Sequence, residues 1–433
     1  MSSEVRRLAY PMLVGVIADS ILSLISLLAV SRLSKTAVAA TGLASYLFFI
    51  INAGSMIFTG GVMVVCSQAI GSGRRDILEK AVGETLTIAL IVTLVVFASL
   101  PLWLKGYLYL VSQGNPDVAE AGYEYTYARL LGLPAILINS VLGAVYRSLD
   151  RPWPPSIYSL ISLVAGAILI PSLTLGLFGL QPLGVYGAGL ASGVASLSGL
   201  LAYLFFPLNV SLRPRLPSTT GLRVLYVGLP IASERIIASL AQNIYINAVA
   251  RGGTNALAAH NIGITIENLI IQPSFAVSTA TLIKTGQGTG RLDENMTNNV
   301  LREGVKLATT WMGIATMILI AISPFAGNFF TADADVARLT TIYLVLAAIS
   351  EIGFGISQAY FGAIRGMGSV WIPFILSSFS VIFLRALPAQ LLSIYFGAVG
   401  AWVTQNTDMY GRAFLSYIVW KKLGAKKLMK RVY

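Results

Sequence analysis

The feature that most limits how this chain can fold is the length of its charge-free segments. Residues 36–73, 152–212 and 307–332 contain no Asp, Glu, Lys or Arg. About 20 apolar residues cross the ~30 Å hydrocarbon core of a bilayer as a helix, so each segment is long enough for at least one crossing. With only 11% charged residues, the chain lacks the polar surface of a soluble or disordered protein. It is predicted to be an integral membrane protein.

Gly, Pro and turn-forming residues divide the apolar segments into twelve predicted spans. Continuous runs of this length favour helices over the short alternating strands of a membrane β-barrel. The first span is longer than the hydrophobic region of a signal peptide, which has about 7–15 residues, so it is interpreted as a helix. The predicted spans are 8–31, 38–66, 83–104, 124–146, 154–178, 183–206, 224–250, 255–283, 306–328, 339–364, 370–393 and 397–420.

The basic residues are distributed unevenly about these spans. Of the 30 Lys and Arg residues, 21 fall on one side, 5 on the other and 4 within spans. Such a bias marks the cytoplasmic side. The chain is therefore predicted to be a multi-pass protein of the cell (plasma) membrane with both termini in the cytoplasm. The same distribution accounts for the net charge of +12 without a nucleic-acid partner.

The two halves of the sequence repeat each other. An offset of 219 aligns Pro11 with Pro230, and no gap is needed through the first span and most of the second. Near the end of the second span, the best match shifts the register by two and aligns Gly-Ser-Gly-Arg of residues 71–74 with Gly-Thr-Gly-Arg of residues 288–291. Six spans in each half leave both halves in the same orientation, related by an axis along the membrane normal.

These observations together predict an all-α integral membrane protein with twelve transmembrane helices in two pseudo-symmetric six-helix bundles. The predicted lobes are residues 1–208 and 223–433, and a polar, Pro-bearing cytoplasmic linker, residues 209–222, joins them. A doubled bundle suits alternating access, although architecture alone supports transport only by analogy.

Metal and disulfide chemistry have few candidate residues. The chain has one Cys, Cys66, and one His, His260, so an internal disulfide is impossible and a His/Cys metal cluster is not expected. His260 is expected at a helix start near the outer face. Motifs of membrane-embedded enzymes such as HExxH are absent from the sequence, so no catalytic residue, metal or cofactor is predicted.

Several short motifs recur along nearly the whole chain: Ala39-Ala40, residues 67–74 (SQAIGSGR), residues 130–134 (LLGLP), Gly228-Leu229-Pro230, Ala258-Ala259-His260 and residues 365–368 (RGMG). Together they resemble the multidrug and toxic compound extrusion (MATE) transporters, notably archaeal and bacterial members. The resemblance implies two six-helix lobes around a central cavity and export of organic, often cationic or amphipathic compounds in exchange for inward H⁺ or Na⁺. The chain is expected to act as a monomer.

Asp19 is the first candidate functional residue because it is the one charge in the first span. A carboxylate at mid-depth is costly and requires an explanation. Burial disfavours its ionised form, so Asp19 is expected to hold a proton near neutral pH and to release it when a cation or water arrives. The alternative is a structural Asp hydrogen-bonded to a neighbouring helix. The resemblance implies that this Asp binds the coupling ion.

The chain departs from the family pattern on the fifth span. The resemblance implies a second Asp there, four residues after an Asn, but the corresponding positions are Ile170 and Gly166. The family's hydroxyl on the sixth span corresponds to Ser192. One carboxylate and one hydroxyl make a poor cage for Na⁺, so H⁺ is preferred over Na⁺ as the coupling ion.

Four further acids lie within spans of the second half and are candidates for secondary ion or substrate sites: Glu234, Glu267, Glu351 and Asp408. For each, the alternative is a structural ion pair, with Arg235 beside Glu234 and Arg385 as a partner for one of the others.

Two other functions are weighed against export. A flippase for lipid-linked saccharides has a related architecture but usually needs a cationic cavity, whereas the charges within these spans are mainly acidic. A membrane-embedded lipid enzyme would need clustered catalytic motifs that the sequence lacks.

Overall fold

The computed structural model of the chain describes residues 3–433, and the regular structure in this range is helical. We number the helices by the predicted span that each contains. The first half consists of α1 (Ser3–Ser31), α2 (Lys35–Gly71), α3 (Arg75–Val111), α4 (Pro116–Leu130 and Leu133–Ser148), α5 (Trp153–Leu175) and α6 (Gly184–Gly199 and Leu201–Phe205). The second half begins with α7 (Thr219–Ala250), α8 (Thr254–Ile270 and Gln272–Arg291), α9 (Glu294–Phe330) and α10 (Ala334–Gly366).

The last two helices follow each other almost directly. α11 begins as Trp371–Ser380 and passes through a π-helical turn, Val381–Ala386, into the long run Leu387–Leu428. Gly397 interrupts this run with φ 57° and ψ −145°, a conformation that glycine adopts at little steric cost. Residues 387–396 therefore complete α11, and α12 begins at residue 398. A second non-helical residue, Gly424 with φ 66° and ψ 169°, interrupts α12 shortly before its end at Leu428.

Pro388 explains the wide turn in α11. Proline has no N–H to donate to the carbonyl four residues earlier, and its ring crowds that carbonyl. The carbonyl concerned is that of Leu384, which accepts a hydrogen bond from the Thr407 hydroxyl on α12 at 2.6 Å. The turn thus keeps its backbone satisfied while it carries Arg385.

Each of the twelve predicted spans coincides with a helix or a broken helix, and the predicted fold class is confirmed. By length and composition, nine helices within residues 3–433 are suited to cross a membrane, or ten when the two pieces of α4, bent by 45°, count as one. The difference from twelve arises because α11 and α12 run together there and because α8 is split at Ile271.

Polar side chains cap several helices where the chain leaves a turn. Asn115 accepts a hydrogen bond from the Val118 N–H at 3.3 Å at the start of α4. Asp293 accepts from the Met296 N–H at 2.9 Å at the start of α9, and Asp333 caps α10 in the same way. Such caps satisfy N–H groups that have no partner within the helix.

The described chain packs as two compact units. The N-terminal unit contains Pro11–Cys66 and Arg75–Leu229, and the C-terminal unit contains Pro230–Tyr433 together with Ser67–Arg74 and the residues up to Tyr10. The boundaries thus fall inside α1 and α7, at Pro11 and Pro230, which the sequence repeat aligns. The predicted lobes, residues 1–208 and 223–433, and the linker between them were derived from the sequence repeat and not from packing. They stay a prediction.

Two backbones cross very closely within the C-terminal unit. A Cβ placed on Gly71 would lie 2.0 Å from the Gln287 carbonyl oxygen, and one placed on Gly290 would lie 2.0 Å from the Gln68 carbonyl oxygen. The contacts are reciprocal, because Gln287 and Gly290 follow Gln68 and Gly71 by 219 residues. The repeat therefore keeps its offset here, and the register shift of two that the sequence suggested is wrong in three dimensions.

The segment between α6 and α7, residues 206–218, has no regular structure and lies along α3 in the N-terminal unit. The Arg215 N–H donates to the Gly83 carbonyl at 3.3 Å. The buried carboxylate of Glu84 then accepts from the Ser218 N–H at 2.9 Å, the Ser218 hydroxyl at 2.6 Å and the Gly221 N–H at 2.6 Å. A side chain of α3 thereby caps the first turn of α7.

Candidate functional site

Asp19 lies on the side of α1 that packs against the N-terminal unit. The carboxylate accepts a hydrogen bond from the Ser159 hydroxyl of α5, and the Arg147 guanidinium of α4 is within electrostatic range. Asp19 follows buried Gly15 by four residues and buried Met12 by seven, so all three share one side of the helix. The direct partner is therefore neutral, and the nearest cation acts at longer range.

The opposite side of α1 carries large apolar side chains. Ile17, Ile21, Leu24 and Leu28 are all exposed and follow the four-and-three spacing of one helix face. This stripe is suited to lipid. Asp19 has an exposed side chain, and because it lies away from the stripe, its carboxyl is accessible from the protein side of the helix.

The positions of the family's second carboxylate are filled by apolar packing. Ile170 is fully buried in a cluster with Ala29, Ala191 and Leu22. A Cβ on Gly166 would lie 2.2 Å from Leu22 Cδ1, so a larger residue there would require Leu22 to move. These contacts show how α5 packs apolar side chains at the two positions that depart from the family pattern.

Ser192 makes its hydrogen bond within its own helix, where the hydroxyl donates to the Ala188 carbonyl at 2.8 Å. Its predicted place in an ion site with Asp19 stays a prediction. The hydroxyl that the structure brings to Asp19 is that of Ser159, which the sequence analysis missed. One turn earlier on α5, the Ser156 hydroxyl donates to the Pro11 carbonyl of α1 at 2.5 Å. This contact between helices is not visible in the sequence, so no sequence signal pointed to Ser159.

Glu234 forms an ion pair with Arg365 of α10 in the C-terminal unit, and both side chains are largely buried, at 13% and 11% exposure. The Arg365 guanidinium also lies 5.6 Å from the centre of the Phe361 ring. The sequence analysis considered a structural ion pair as the alternative role of Glu234. The structure contains such a pair, and its cation is Arg365 and not the adjacent Arg235.

Glu267 and Glu351 meet in the interior of the C-terminal unit. Glu267 accepts hydrogen bonds from the Tyr343 hydroxyl and from Gln405 Nε2, the latter at 2.7 Å. The Glu351 carboxyl, 1% exposed, is within hydrogen-bonding range of the Glu267 carboxyl. Two carboxyl groups share a hydrogen bond only when one of them carries the proton. This contact makes the pair a candidate site for one proton.

Arg385 supplies the positive charge of this interior cluster. Its Nη2 donates to Gln405 Oε1 at 3.1 Å, and its guanidinium lies 4.3 Å from the centre of the Tyr245 ring. Glu267 and Asp408 are within electrostatic range of the guanidinium. Gln405 therefore connects the cation to Glu267 through both ends of one amide.

His260 lies in the interior of the C-terminal unit, in the second turn of α8. Its expected place near the outer face of the membrane stays a prediction. The His260 side chain is fully buried, and its ring packs edge-on against Tyr343 and Tyr245, with centroids 5.0 and 5.7 Å away. Among the described residues, neither ring nitrogen has a hydrogen-bond partner. Its place in the second turn of α8, packed on α7 and α10, explains the burial.

Asp408 has a structural environment. Its carboxylate accepts from Arg412 Nε and Nη2, each at 2.7 Å, and from the Ser380 hydroxyl at 2.7 Å. The Asp408 and Arg412 side chains are 0% and 7% exposed. The pair joins α12 to α11 just before the π-helical turn. Arg412, one turn further along α12, is thus the direct partner of Asp408, whereas Arg385 was the partner considered from the sequence.

Metal-ligand geometry is not found within residues 3–433, where no three His, Cys, Asp or Glu side chains are grouped to hold a metal ion. The functional residues that the sequence missed, Ser159, Tyr343 and Gln405, are neutral hydrogen-bonding partners of the acids. Their residue types are common in helices, so only their position opposite an acid identifies them.

Two repeated six-helix halves, with acids inside both units, are the architecture of multi-pass membrane transporters of the repeat type. The sequence model of the MatE family matches residues 11–171 and again residues 230–391, and the two matches begin at positions that the repeat aligns. The chain therefore belongs to the MatE family, the multidrug and toxic compound extrusion transporters. As predicted, it is a transporter and not an enzyme.

Relatives and solved structures agree with this assignment. The probable multidrug resistance protein NorM of Thermotoga maritima is 24% identical over 394 residues, covering 89% of this chain and 84% of the relative. NorM of Bradyrhizobium diazoefficiens is 27% identical over 426 residues, covering 92% and 89%. The MATE transporter VcmN of Vibrio cholerae in its bent form has a TM-score of 0.91 at 17% identity, covering 100% of this chain and 98% of its own. A MOP superfamily transporter from Pyrococcus furiosus has a TM-score of 0.88 at 19% identity, covering 99% and 97%.

Proposed function

We propose that this transporter is a proton-coupled antiporter that exports organic, cationic or amphipathic compounds across the plasma membrane and has both termini in the cytoplasm. The curated relatives named as probable multidrug resistance proteins support a broad substrate range. The 21 to 5 distribution of basic residues supports the orientation.

The observation that carries the choice of H⁺ is the environment of Asp19. Its direct partner is the Ser159 hydroxyl, while Ile170 and Gly166 stand where the family has further oxygen-bearing side chains. A proton needs one carboxyl group, whereas a bare Na⁺ needs several hard oxygens around it. In the proposed cycle, protonation of Asp19 favours one arrangement of the helices and substrate favours the other, so that exchange follows from the difference in affinity.

The Glu267–Glu351 pair supports a second proton site. With one proton on the pair, its single negative charge is balanced by Arg385, and the Asp408–Arg412 pair is neutral. Loss of the proton would leave one uncompensated negative charge in the interior, which is costly unless a cation replaces it. The pair would therefore exchange a proton for a positively charged substrate. Of the acids predicted as secondary sites, Glu267 and Glu351 are the two that we propose take part.

In the C-terminal unit, the same charge balance argues against the flippase alternative. A phosphate-bearing lipid would need an available cation in the cavity, but Arg385 is bonded to Gln405 and lies near two acids. Arg365 is paired with Glu234, and Arg412 with Asp408.

The test is transport of ethidium by the purified chain in proteoliposomes, with a pH gradient and a Na⁺ gradient imposed separately. The pH gradient alone is expected to drive flux, and Asp19→Asn is expected to lower that flux at least tenfold. Asp335→Asn is the matched control, because Asp335 is an exposed acid in the first turn of α10. Glu351→Gln, which keeps a hydrogen-bond donor, is expected to reduce the number of protons moved per ethidium.

Flux that follows the Na⁺ gradient would contradict proton coupling. Asp19→Asn flux equal to that of the parent would contradict the assignment of Asp19. An unchanged proton count in Glu351→Gln would confine coupling to the N-terminal unit.

A further inference from the structure

The short segment that follows α12, residues 429–433, is bonded to the ends of three other helices on the side predicted to be cytoplasmic. We call this segment the tail. The Lys430 N–H donates to the Met367 carbonyl, just after α10, at 2.7 Å. The Arg431 guanidinium donates to the Gly290 carbonyl, at the end of α8, at 2.7 Å. These two hydrogen bonds anchor the tail within the C-terminal unit.

The third helix is α2, which meets the tail through the fully buried side chain of Gln68. Gln68 Oε1 accepts from the Val432 N–H at 3.0 Å, and Nε2 donates to the Lys430 carbonyl at 3.1 Å. Nε2 also donates to the Gly366 carbonyl at the end of α10, at 3.0 Å. Because a backbone N–H only donates and a carbonyl only accepts, the amide has one allowed orientation here. Two of its three bonds are to the tail.

The turn after α10 leaves room for the tail through the absence of a side chain. Gly368 has a φ of 86°. A Cβ placed on it would lie 2.2 Å from the Lys430 carbonyl oxygen and 3.1 Å from Gln68 Nε2. Glycine therefore serves both the backbone conformation and the close approach. This contact accounts for the last glycine of the RGMG motif, residues 365–368, which the proposed coupling mechanism does not use.

The bonds to Gln68 oppose movement of the end of α2. This helix is unbroken over Lys35–Gly71, yet the boundary between the two compact units passes through it after Cys66. A continuous helix transmits movement as a rigid element. When the repeats of a transporter rock during alternating access, the end of α2 is therefore expected to move with the rest of the helix. The contacts around Gln68 are among those that such a movement has to break.

We propose that the tail is a latch on the end of α2. Its two hydrogen bonds to Gln68 hold α2 in the C-terminal unit, and they break once in each transport cycle. The anchors at Met367 and Gly290 stay closed, so the bonds to Gln68 can form again when α2 returns. The latch depends on alternating access and not on the coupling ion or the class of substrate.

The first experiment measures hydrogen exchange of residues 67–74 in lipid nanodiscs without substrate. A chain that ends at Met429 lacks both tail bonds to Gln68. These residues are expected to exchange at least about fivefold faster in it, the factor for two neutral hydrogen bonds. Gln68→Met, which removes the same bonds from the other side, provides a second variant if the shortened chain folds poorly.

Lys426→Gln combined with Lys427→Gln is the matched control. Both lysines are exposed and lie in the last turn of α12. The double substitution removes two positive charges, as does loss of Lys430 and Arg431, but it leaves the tail in place. Residues 67–74 are expected to exchange at the parent's rate in this control.

The second experiment closes the latch reversibly. Gln68→Cys with Val432→Cys, in a Cys66→Ala background, places two thiols at positions whose residues are hydrogen-bonded in the parent. A short bifunctional methanethiosulfonate then joins them. The cross-linked protein is expected to lose ethidium flux at least about tenfold and to regain it on reduction. Each single-cysteine variant treated with the same reagent should keep its flux.

Unchanged exchange in both the shortened chain and Gln68→Met would overturn the proposal. Full ethidium flux in the cross-linked protein would also overturn it, because the tail would then hold α2 without having to release it. A parent that moves no ethidium would contradict the proposed substrate class, and the exchange experiment, which needs no substrate, would then decide on the latch.

Discussion

Glu84 fixes the first turn of α7 to α3, and the structure allows the cost of losing it to be worked out. The carboxylate accepts three hydrogen bonds, from the Ser218 N–H and hydroxyl and from the Gly221 N–H. A hydrogen bond to a charged group contributes about 1.5–3 kcal/mol net. Gln at this position keeps one carbonyl oxygen as an acceptor. Its NH2 group would face at least one of the three donors, and two donors cannot form a hydrogen bond with each other. Glu84→Gln is therefore expected to lower the free energy of unfolding by about 3 kcal/mol.

Glu79 provides a matched control on the same helix. It pairs with Arg75 at 3.3 Å and with Arg215 at 3.5 Å, but those side chains are 68% and 38% exposed. Exposed pairs contribute less than about 1 kcal/mol. Glu79→Gln removes the same charge from the same helix and is therefore expected to have a small effect.

The assay is thermal unfolding of the purified variants in one detergent. For a domain of 150–250 residues, 1 kcal/mol shifts the Tm by about 2–4 °C, so Glu84→Gln should lower the Tm by about 6–12 °C. Hydrogen exchange of residues 218–225 should accelerate in this variant and remain unchanged in Glu79→Gln. Equal Tm shifts in the two variants, or unchanged exchange at the start of α7, would refute the reasoning.

Two further predictions concern the C-terminal unit. Gly290→Ala is expected to destabilise the fold by about 1–3 kcal/mol or more, because its Cβ would lie 2.0 Å from a backbone oxygen. The control is Gly313→Ala, whose Cβ meets open space and which should unfold at the parent's Tm or above. An equal decrease of the Tm in both variants would contradict the close crossing. Asp408→Asn is expected to cost about 3–5 kcal/mol by leaving buried Arg412 without its counter-charge. Asp408→Leu combined with Arg412→Met should recover at least half of the lost Tm, and failure to recover would argue for a role beyond packing.

The helical fold could be predicted because the bilayer restricts the alternatives. Charge-free runs such as residues 152–212 leave few structures that satisfy the backbone in hydrocarbon, and the breaks at Gly and Pro indicate where one span ends. The broken helices were less accessible. The π-helical turn at Arg385 depends on Pro388 and on a hydrogen bond from Thr407 of another helix. The sequence pattern of α11 shows the proline, but it does not show the hydrogen bond from α12.

The acids of the candidate site could be predicted one at a time, but their partners could not. Asp19 and Glu267 stand out because a charge in a span is rare. Arg365 as the partner of Glu234, and Gln405 between Arg385 and Glu267, depend on how the helices are rotated against each other. The predicted repeat register near Gly71 was wrong for a related reason. The residue types align best with an offset of 217, whereas the backbone contacts relate residues that are 219 apart.

The boundaries at Pro11 and Pro230 have a consequence for separating the halves. A chain cut within residues 209–218 yields fragments that do not coincide with the compact units. The second fragment lacks Ser67–Arg74, against which Gln287 and Gly290 pack, and the first lacks residues 219–229, whose opening turn Glu84 caps. Either fragment made by itself would leave these packing surfaces uncovered, whereas coexpression would let each fragment supply the segment that the other lacks.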